Sequence, residues 1–126
     1  MKWCVMRWYS MSRDADITRL QHMVEAVQEI LEFTQGGILQ SIVADRPLQH
    51  LIVRDLEILG EAASRISPQY RQEHPEIPWR DMIDLRNRLI HAYFDLNPDV
   101  IWKTVQQDLP KLLPVLKIIL EGETSA

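Results

Sequence analysis

The chain has 126 residues and a net charge of −4, from 14 Lys and Arg against 18 Asp and Glu. This length predicts one domain with its own core, and the charge restricts nucleic-acid binding to a local basic patch. Cys4 is the only cysteine, which excludes an internal disulfide and fits the cytoplasm. No apolar run reaches the ~18 residues of a membrane span, and the first ten residues lack the apolar segment of a signal peptide. We therefore expect a cytoplasmic protein without a membrane segment.

The first helix is predicted from about Asp14 to Thr34, because its apolar residues recur with the i, i+3, i+4, i+7 spacing of one helix face. These residues are Ile17, Leu20, Met23, Val24, Val27, Ile30 and Leu31. Residues 1–10 carry two Trp and one Tyr without such a period. We expect residues 1–10 to be an N-terminal extension or an alternative start, and residues 11–126 to form the single helical domain.

The remaining elements are predicted from proline positions, helix caps and apolar spacing. Their bounds are a short segment at Ile38–Ala44, a helix from Asp45 to about Ile66, one turn around Gln69–Gln72, a helix from Trp79 to Tyr93 and a helix from Pro98 to Asp108. Pro110 and Pro114 are expected to kink or split the apolar tail that follows. No stretch alternates apolar and polar residues as a strand does. The predicted fold is therefore all-α, an up-down bundle of four to five helices.

Three residues of the second long helix carry information beyond its bounds. Gly60 lies inside it, where glycine costs about 1 kcal/mol relative to alanine, so we expect another backbone to approach there. Glu57 and Glu61 lie one turn apart on one face. They form either a solvated acidic face or a pair that binds arginines or borders a polar site.

Several common site chemistries are absent from the sequence. It has no Gly-rich phosphate loop and no Gly-x-Ser-x-Gly nucleophile elbow. The four histidines lie on four different predicted elements, which makes a shared metal site unlikely to form. They are His22, His50, His74 and His91. We expect neither a metal site nor a cofactor.

The helix after Pro78 carries the most informative polar residues, which are Arg86, Asn87, Arg88, His91 and Tyr93. One interpretation is an ordinary polar helix face with a histidine near its end and a tyrosine at an interface. The other is a ribonuclease site. A histidine can move a proton between the RNA 2′-OH and the leaving oxygen near neutral pH, and an arginine can stabilise the charge that develops on the phosphate. Asn87 would then orient the phosphate or hold the histidine through its amide.

The angular positions of these side chains bear on how a site could form. At 100° per residue, Arg86 and His91 lie about 140° apart around the helix axis, so they do not face one phosphate from a single straight helix. Arg86 and Tyr93 fall on nearly the same line of the helix surface. A second copy of the helix in a symmetric dimer is one way to bring Arg86 and His91 together.

The segment Arg86-Asn87-Arg88-Leu89-Ile90-His91-Ala92-Tyr93 resembles the Arg-x4-His-x-Tyr motif of the HepT-like toxins in the HEPN superfamily. The polar Asn87 directly after the arginine fits this family. The resemblance extends from about residue 14 to residue 120. It includes the runs Leu-Glu-Ile-Leu-Gly-Glu-Ala at Leu56–Ala62, Ile-Pro-Trp-Arg at Ile77–Arg80 and Asp-Leu-Pro at Asp108–Pro110, together with Trp102.

The resemblance implies a metal-independent endoribonuclease toxin of a type VII toxin–antitoxin pair. Arg86 and His91 would be catalytic, and Asn87, Arg88 and Tyr93 would bind the RNA substrate. The family forms homodimers in which the motif helices meet across a cleft. Its partner is an MNT-type nucleotidyltransferase antitoxin, which can transfer AMP to the motif tyrosine, here Tyr93, and place negative charge beside Arg86.

A second hypothesis belongs to a different functional class. The chain could be a non-catalytic helical module whose motif cleft holds a nucleotide or a partner protein. The acidic net charge of −4 favours this alternative slightly. The two hypotheses differ in whether overproduction is toxic only with Arg86 and His91 intact, and in whether the neighbouring reading frame encodes a nucleotidyltransferase.

Overall fold

The computed structural model describes residues 2–91 and 97–124, with side chains described for residues 13–89 and 97–124. All regular structure in these ranges is helical, which confirms the all-α prediction. The helices are α1 Lys2–Thr34, α2 Leu39–Ala44, α3 Arg46–Arg65, α4 Pro68–Glu73, α5 Trp79–His91, α6 Pro98–Lys103, a π-helical turn at Thr104–Asp108, and α7 Leu109–Thr124. The predicted homodimer involves a second copy of the chain and stays a prediction.

Helix α3 lies at the centre of the fold, packed against α1 on one side and α5 on the other, and α7 also packs on α1. Arg19 contacts Arg65 near one end of the α1–α3 pair, and Glu29 lies beside Asp55 farther along, so these two helices are antiparallel. The core is formed by their apolar faces, including Leu20, Met23, Ile30, Ile52, Leu56, Leu59, Leu89 and Leu116. Within the described ranges, no helix is both long and apolar enough to cross a membrane.

The first helix begins at Lys2, so its predicted start near Asp14 was wrong. Apolar spacing detects a helix face that is buried, whereas residues 2–13 carry no such spacing. Neither glycine nor proline occurs before Gly36, so nothing in the segment stops the helix. The division into an extension at residues 1–10 and a domain at residues 11–126 stays a prediction.

The predicted helix starts near Asp45 and at Pro98 are confirmed, and both helices have side-chain caps. Asp45 Oδ1 accepts a hydrogen bond from the Leu48 N–H at 3.1 Å, at the start of α3. Asn97 Oδ1 accepts one from the Asp99 N–H at 2.9 Å, at the start of α6. These bonds satisfy N–H groups that have no partner within the first helical turn.

The C-terminal helices are disturbed just before Pro110 and are not split at Pro114. The helix predicted over Pro98–Asp108 is α6 followed by the π-helical turn, in which the Leu109 N–H bonds to the Thr104 carbonyl five residues back. This wider turn directly precedes Pro110, which has no N–H to continue the regular ladder. Helix α7 then continues through Pro114 without being split.

Candidate active site

Helix α5 carries the motif, and its buried face fixes which residues point toward solvent. Met82 and Leu89 are buried in the core, whereas Arg86 is partly buried and Asn87 and Arg88 are exposed. At the start of the helix the buried Trp79 donates from Nε1 to the His74 carbonyl at 2.9 Å. The packing of α5 therefore sets the rotation of the motif about the helix axis.

Arg86 is held against α3 by an ion pair. Its Nη1 donates to Glu61 Oε2 at 2.9 Å, with 22% of the arginine side chain and 43% of the glutamate side chain exposed. The other oxygen of the same carboxylate, Glu61 Oε1, accepts from Arg65 Nε at 2.7 Å. One carboxylate thus orients two guanidinium groups. The Arg86 Nε is buried and has no hydrogen-bond partner among the described groups.

Gly60 is the point of closest approach between α3 and α5. A Cβ atom added there would lie 2.3 Å from the Arg86 Cβ and 2.7 Å from the Met82 carbonyl oxygen. These distances are far below van der Waals contact, so only glycine fits. The predicted close approach at Gly60 is confirmed, and the element that approaches is the motif helix at Arg86 itself.

The two glutamates of α3 border a polar site, as one of the two interpretations predicted. Glu61 pairs with arginines, and both Glu57 and Glu61 line an open groove of about 630 Å³, here named the α1–α3 groove. Its charged and polar lining consists of Thr18, Arg19, His22, Arg54, Glu57, Glu61, Arg65 and Arg86. The motif arginine therefore opens onto a groove formed mainly by two other helices.

Apart from Arg86, the sequence interpretation did not single out the arginines of this groove. Arg54 and Arg65 share one face of α3 with Glu61, at spacings of seven and four residues, and Arg19 faces them from α1. The helical spacing on α3 was readable from the sequence. The pairing of α1 with α3, which brings Arg19 to the same groove, was not.

The other predicted site residues are distributed differently. Arg88 lines a second groove, of about 740 Å³, between α5 and the C-terminal helices, so the structure does not bring it together with Arg86. Asn87, which lies between Arg86 and Arg88 in the sequence, is exposed. His91 is the last residue of α5, and its side chain lies outside the described side chains; Tyr93 lies outside the described residues. Among the described residues, no group of three His, Cys, Asp or Glu could hold a metal ion.

A second polar pair, Asp55 and Glu29, joins α3 and α1 beside Arg54. Asp55 on α3 is only 5% exposed, and its Oδ2 has no partner among the described groups. Burial, followed by the charge and hydrogen bond of Glu29 on α1, raises the pKa of Asp55 from 3.8 to about 6, whereas the charge of Arg54 opposes the shift. The folded protein therefore favours the protonated form of Asp55 more than the unfolded chain does.

Asp55→Asn is expected to stabilise the protein at pH 7.5. Because the pKa of Asp55 is higher in the folded state, the folded protein binds more protons than the unfolded chain between pH 4 and 6, and the free energy of unfolding falls as the pH rises through this window. Asparagine resembles the protonated acid, so it should raise the free energy of unfolding at pH 7.5 by about 1–3 kcal/mol and remove this part of the pH dependence. Urea unfolding at pH 4.5 and 7.5 measures both effects.

The matched control for this prediction is Asp84→Asn, since Asp84 is exposed on α5. It should leave the free energy of unfolding nearly unchanged at both pH values. A wild-type protein whose stability does not fall between pH 4.5 and 6, or an Asp55→Asn variant that is less stable at pH 7.5, would contradict the assignment of a buried proton to Asp55.

Residues 23–119 match the sequence profile of the family described as Ribonuclease HepT-like. The match spans most of the chain and includes the whole motif from Arg86 to Tyr93. The chain belongs to the HepT-like ribonuclease family. This confirms the resemblance inferred from the motif residues.

Individual relatives of the HepT-like family agree with the match. The chain is 43% identical over 93 residues to a probable ribonuclease HepT of Thermococcus cleftensis, covering 74% of this chain and 84% of that one. It is 34% identical over 104 residues to a protein of Caldanaerobacter subterraneus named as a candidate RNase, covering 82% and 93%. A similarly named protein of Methanocaldococcus jannaschii is 33% identical over 100 residues, covering 79% and 92%. No solved structure matches the chain.

Proposed function

We propose that this protein is an endoribonuclease that cleaves RNA without a metal ion, with Arg86 and His91 as its catalytic residues. The observation that carries the proposal is the position of Arg86. Its guanidinium is held by Glu61 at the edge of an open, arginine-lined groove, in a chain of the HepT-like ribonuclease family whose relatives are named as probable or candidate ribonucleases.

The proposed reaction is attack of the RNA 2′-oxygen on the adjacent phosphorus. The 2′-O–P bond forms, the P–O5′ bond breaks, and the products are a 2′,3′-cyclic phosphate and a 5′-hydroxyl. The His91 imidazole takes the proton of the 2′-OH as the 2′-oxygen attacks and, as imidazolium, gives it to the leaving 5′-oxygen. Arg86 stabilises the additional charge on the phosphate, and Asn87, Arg88 and Tyr93 contact the RNA. Glu61 acts as a positioning residue, because it fixes the Arg86 guanidinium before substrate binds.

A symmetric homodimer is part of the proposal. Arg86 and His91 lie on one helix about 140° apart around its axis, so a single copy of α5 does not aim both at one phosphate. Two antiparallel copies of α5 would bring the arginine of one protomer to the histidine of the other. The exposure of Asn87 and Arg88 on α5 supports an unpaired surface on this helix.

The wild-type protein should cleave RNA in the presence of EDTA. We expect purified protein, freed of any partner, to cut a labelled single-stranded RNA and to leave a DNA oligonucleotide of the same sequence intact, since DNA lacks the 2′-OH. Gel electrophoresis with phosphatase treatment identifies the cyclic phosphate ends. RNA binding without cleavage would contradict the enzyme proposal and favour the non-catalytic module. The acidic net charge of the chain also favours that alternative slightly.

Control by a nucleotidyltransferase antitoxin completes the proposal as a type VII toxin–antitoxin pair. Addition of AMP to Tyr93, which is nearly in line with Arg86 on a continued helix, would place a phosphodiester charge beside the guanidinium and compete with RNA. Mass spectrometry of the protein coproduced with the product of its neighbouring gene should show one or more AMP units on Tyr93. The Tyr93→Phe variant should stay unmodified, and modification at another residue would contradict the assignment.

A further inference from the structure

The α1–α3 groove collects positive charge in a chain that is acidic as a whole. Four arginines and two glutamates line it, an excess of two positive charges, whereas the net charge of the chain is −4. A concave surface with one sign of charge raises the local concentration of the opposite ion. The groove therefore suits an anionic ligand although most of the protein surface does not.

The arginines of the groove differ in how far their charge is already paired. Arg65 and Arg86 share the carboxylate of Glu61. Arg19 donates from Nη1 to the Arg65 carbonyl oxygen at 2.8 Å and forms an ion pair with Asp16 at 3.9 Å. Arg54 is exposed, and among the described side chains it forms no hydrogen bond or salt bridge. Arg54 is thus the cation with the most unused donors for a bound phosphate.

The arrangement of these residues fits an extended ligand. Arg54 and Arg65 are eleven residues apart on one face of α3, which corresponds to about 16 Å along the helix axis. Arg19 faces them from α1, and Ile58 adds an exposed apolar side chain between them that can contact a base or ribose. A duplex is too wide for a groove between two packed helices whose axes lie about 8–10 Å apart. A single strand fits.

Resting on the proposed ribonuclease activity, we propose that the α1–α3 groove binds the sugar–phosphate backbone of single-stranded RNA next to the scissile bond. Arg54 and Arg19 contact successive phosphates, and the strand leads to Arg86. There the scissile phosphate replaces Glu61 as the partner of the guanidinium, since phosphate accepts the same forked hydrogen bonds as carboxylate. The groove holds the strand, and the motif cuts it.

The test measures the affinity of full-length protein for a fluorescein-labelled 2′-O-methyl oligonucleotide, which has no free 2′-OH to attack. Fluorescence anisotropy is recorded at salt concentrations from about 50 to about 300 mM. Over about this range, the contribution of phosphate contacts to the affinity falls steeply. Arg54→Gln should weaken binding by about 3- to 10-fold at low salt and reduce the slope of log K against log salt by about 0.7, the value for one phosphate contact on a single strand.

The matched control is Arg46→Gln, which removes an exposed arginine from the first turn of the same helix, outside the described grooves. It should keep the affinity and the salt slope of the wild type. Circular dichroism verifies that both variants are folded. Tighter binding of a double-stranded RNA than of the single strand would overturn the choice of ligand.

The outcomes separate this proposal from the ribonuclease proposal. If Arg54→Gln and the wild type have the same affinity and the same salt slope, the α1–α3 groove is not the RNA-binding site, even if the wild type cleaves RNA. A loss of affinity and slope in Arg54→Gln, in a protein that does not cleave RNA, would support the groove as an RNA site and overturn the enzyme. A wild type that neither binds nor cleaves RNA overturns both.

Discussion

Arg86→Gln is expected to lower the rate of RNA cleavage by on the order of 10²–10³-fold while the protein stays folded. Loss of one donor that stabilises the transition-state charge has a cost of this size. Glutamine keeps the Cβ and Cγ atoms that lie against Gly60. Packing between α3 and α5 is therefore retained. Single-turnover cleavage of a labelled RNA in EDTA measures the rate.

Arg80→Gln is the matched control for this experiment. Arg80 is an exposed arginine in the first turn of α5 and lies outside the α1–α3 groove. Its replacement should leave the rate within about twofold of the wild type, as expected of an exposed residue away from the reacting atoms. If both substitutions lower the cleavage rate by the same small factor, Arg86 does not stabilise the transition state.

A mixture of two inactive variants tests whether the site is shared between protomers. His91→Ala should be as inactive as Arg86→Gln, because the proton transfer is lost. If Arg86 of one protomer acts with the histidine of the other, a mixed dimer carries one doubly altered site and one intact site. Coproduction of the two variants should then restore about a quarter of the wild-type rate, since about half of the dimers are mixed. No recovery would contradict a shared site.

Local signals in the sequence predicted the framework of this site well. Asp45 and Asn97 cap helices where they were expected to, because capping depends on a side chain and on N–H groups only two or three residues away. Gly60 was identified because glycine destabilises a helix interior, and the structure shows that Arg86 is the residue packed against it. Such features depend on a few neighbouring residues or on one unusual residue type.

Features that depend on distant contacts were not predicted. The α1–α3 groove forms only because α1 lies antiparallel to α3, and no local spacing specifies this pairing. Arg19 and Arg54 were therefore not predicted as site residues. The helix start at Lys2 was missed because apolar spacing reports burial and not helix formation. Pro110 signalled a disturbance, but the structure places it in the preceding turn, where Leu109 reaches back to Thr104.

Gly60→Ala is expected to destabilise the protein by about 2–4 kcal/mol. The added Cβ would lie 2.7 Å from the Met82 carbonyl oxygen and 2.3 Å from the Arg86 Cβ. Both atoms belong to or adjoin the α5 backbone, so the clash is relieved only by moving α5 away from α3, and overpacking of this kind costs about 1–3 kcal/mol or more. The midpoint of thermal unfolding should fall by on the order of 10 °C.

The sign of this effect distinguishes packing from helix propensity. In an unpacked helix interior, Gly→Ala stabilises by up to about 1 kcal/mol, and Gly122 provides that comparison, because nothing lies within 4 Å of a Cβ added there. Gly122→Ala should therefore be neutral or stabilising, while Gly60→Ala is strongly destabilising. Because the displaced helix carries Arg86, Gly60→Ala should also lose cleavage activity at temperatures where it is still folded. A Gly60→Ala variant as stable and active as Gly122→Ala would mean that α3 and α5 do not meet at the motif arginine.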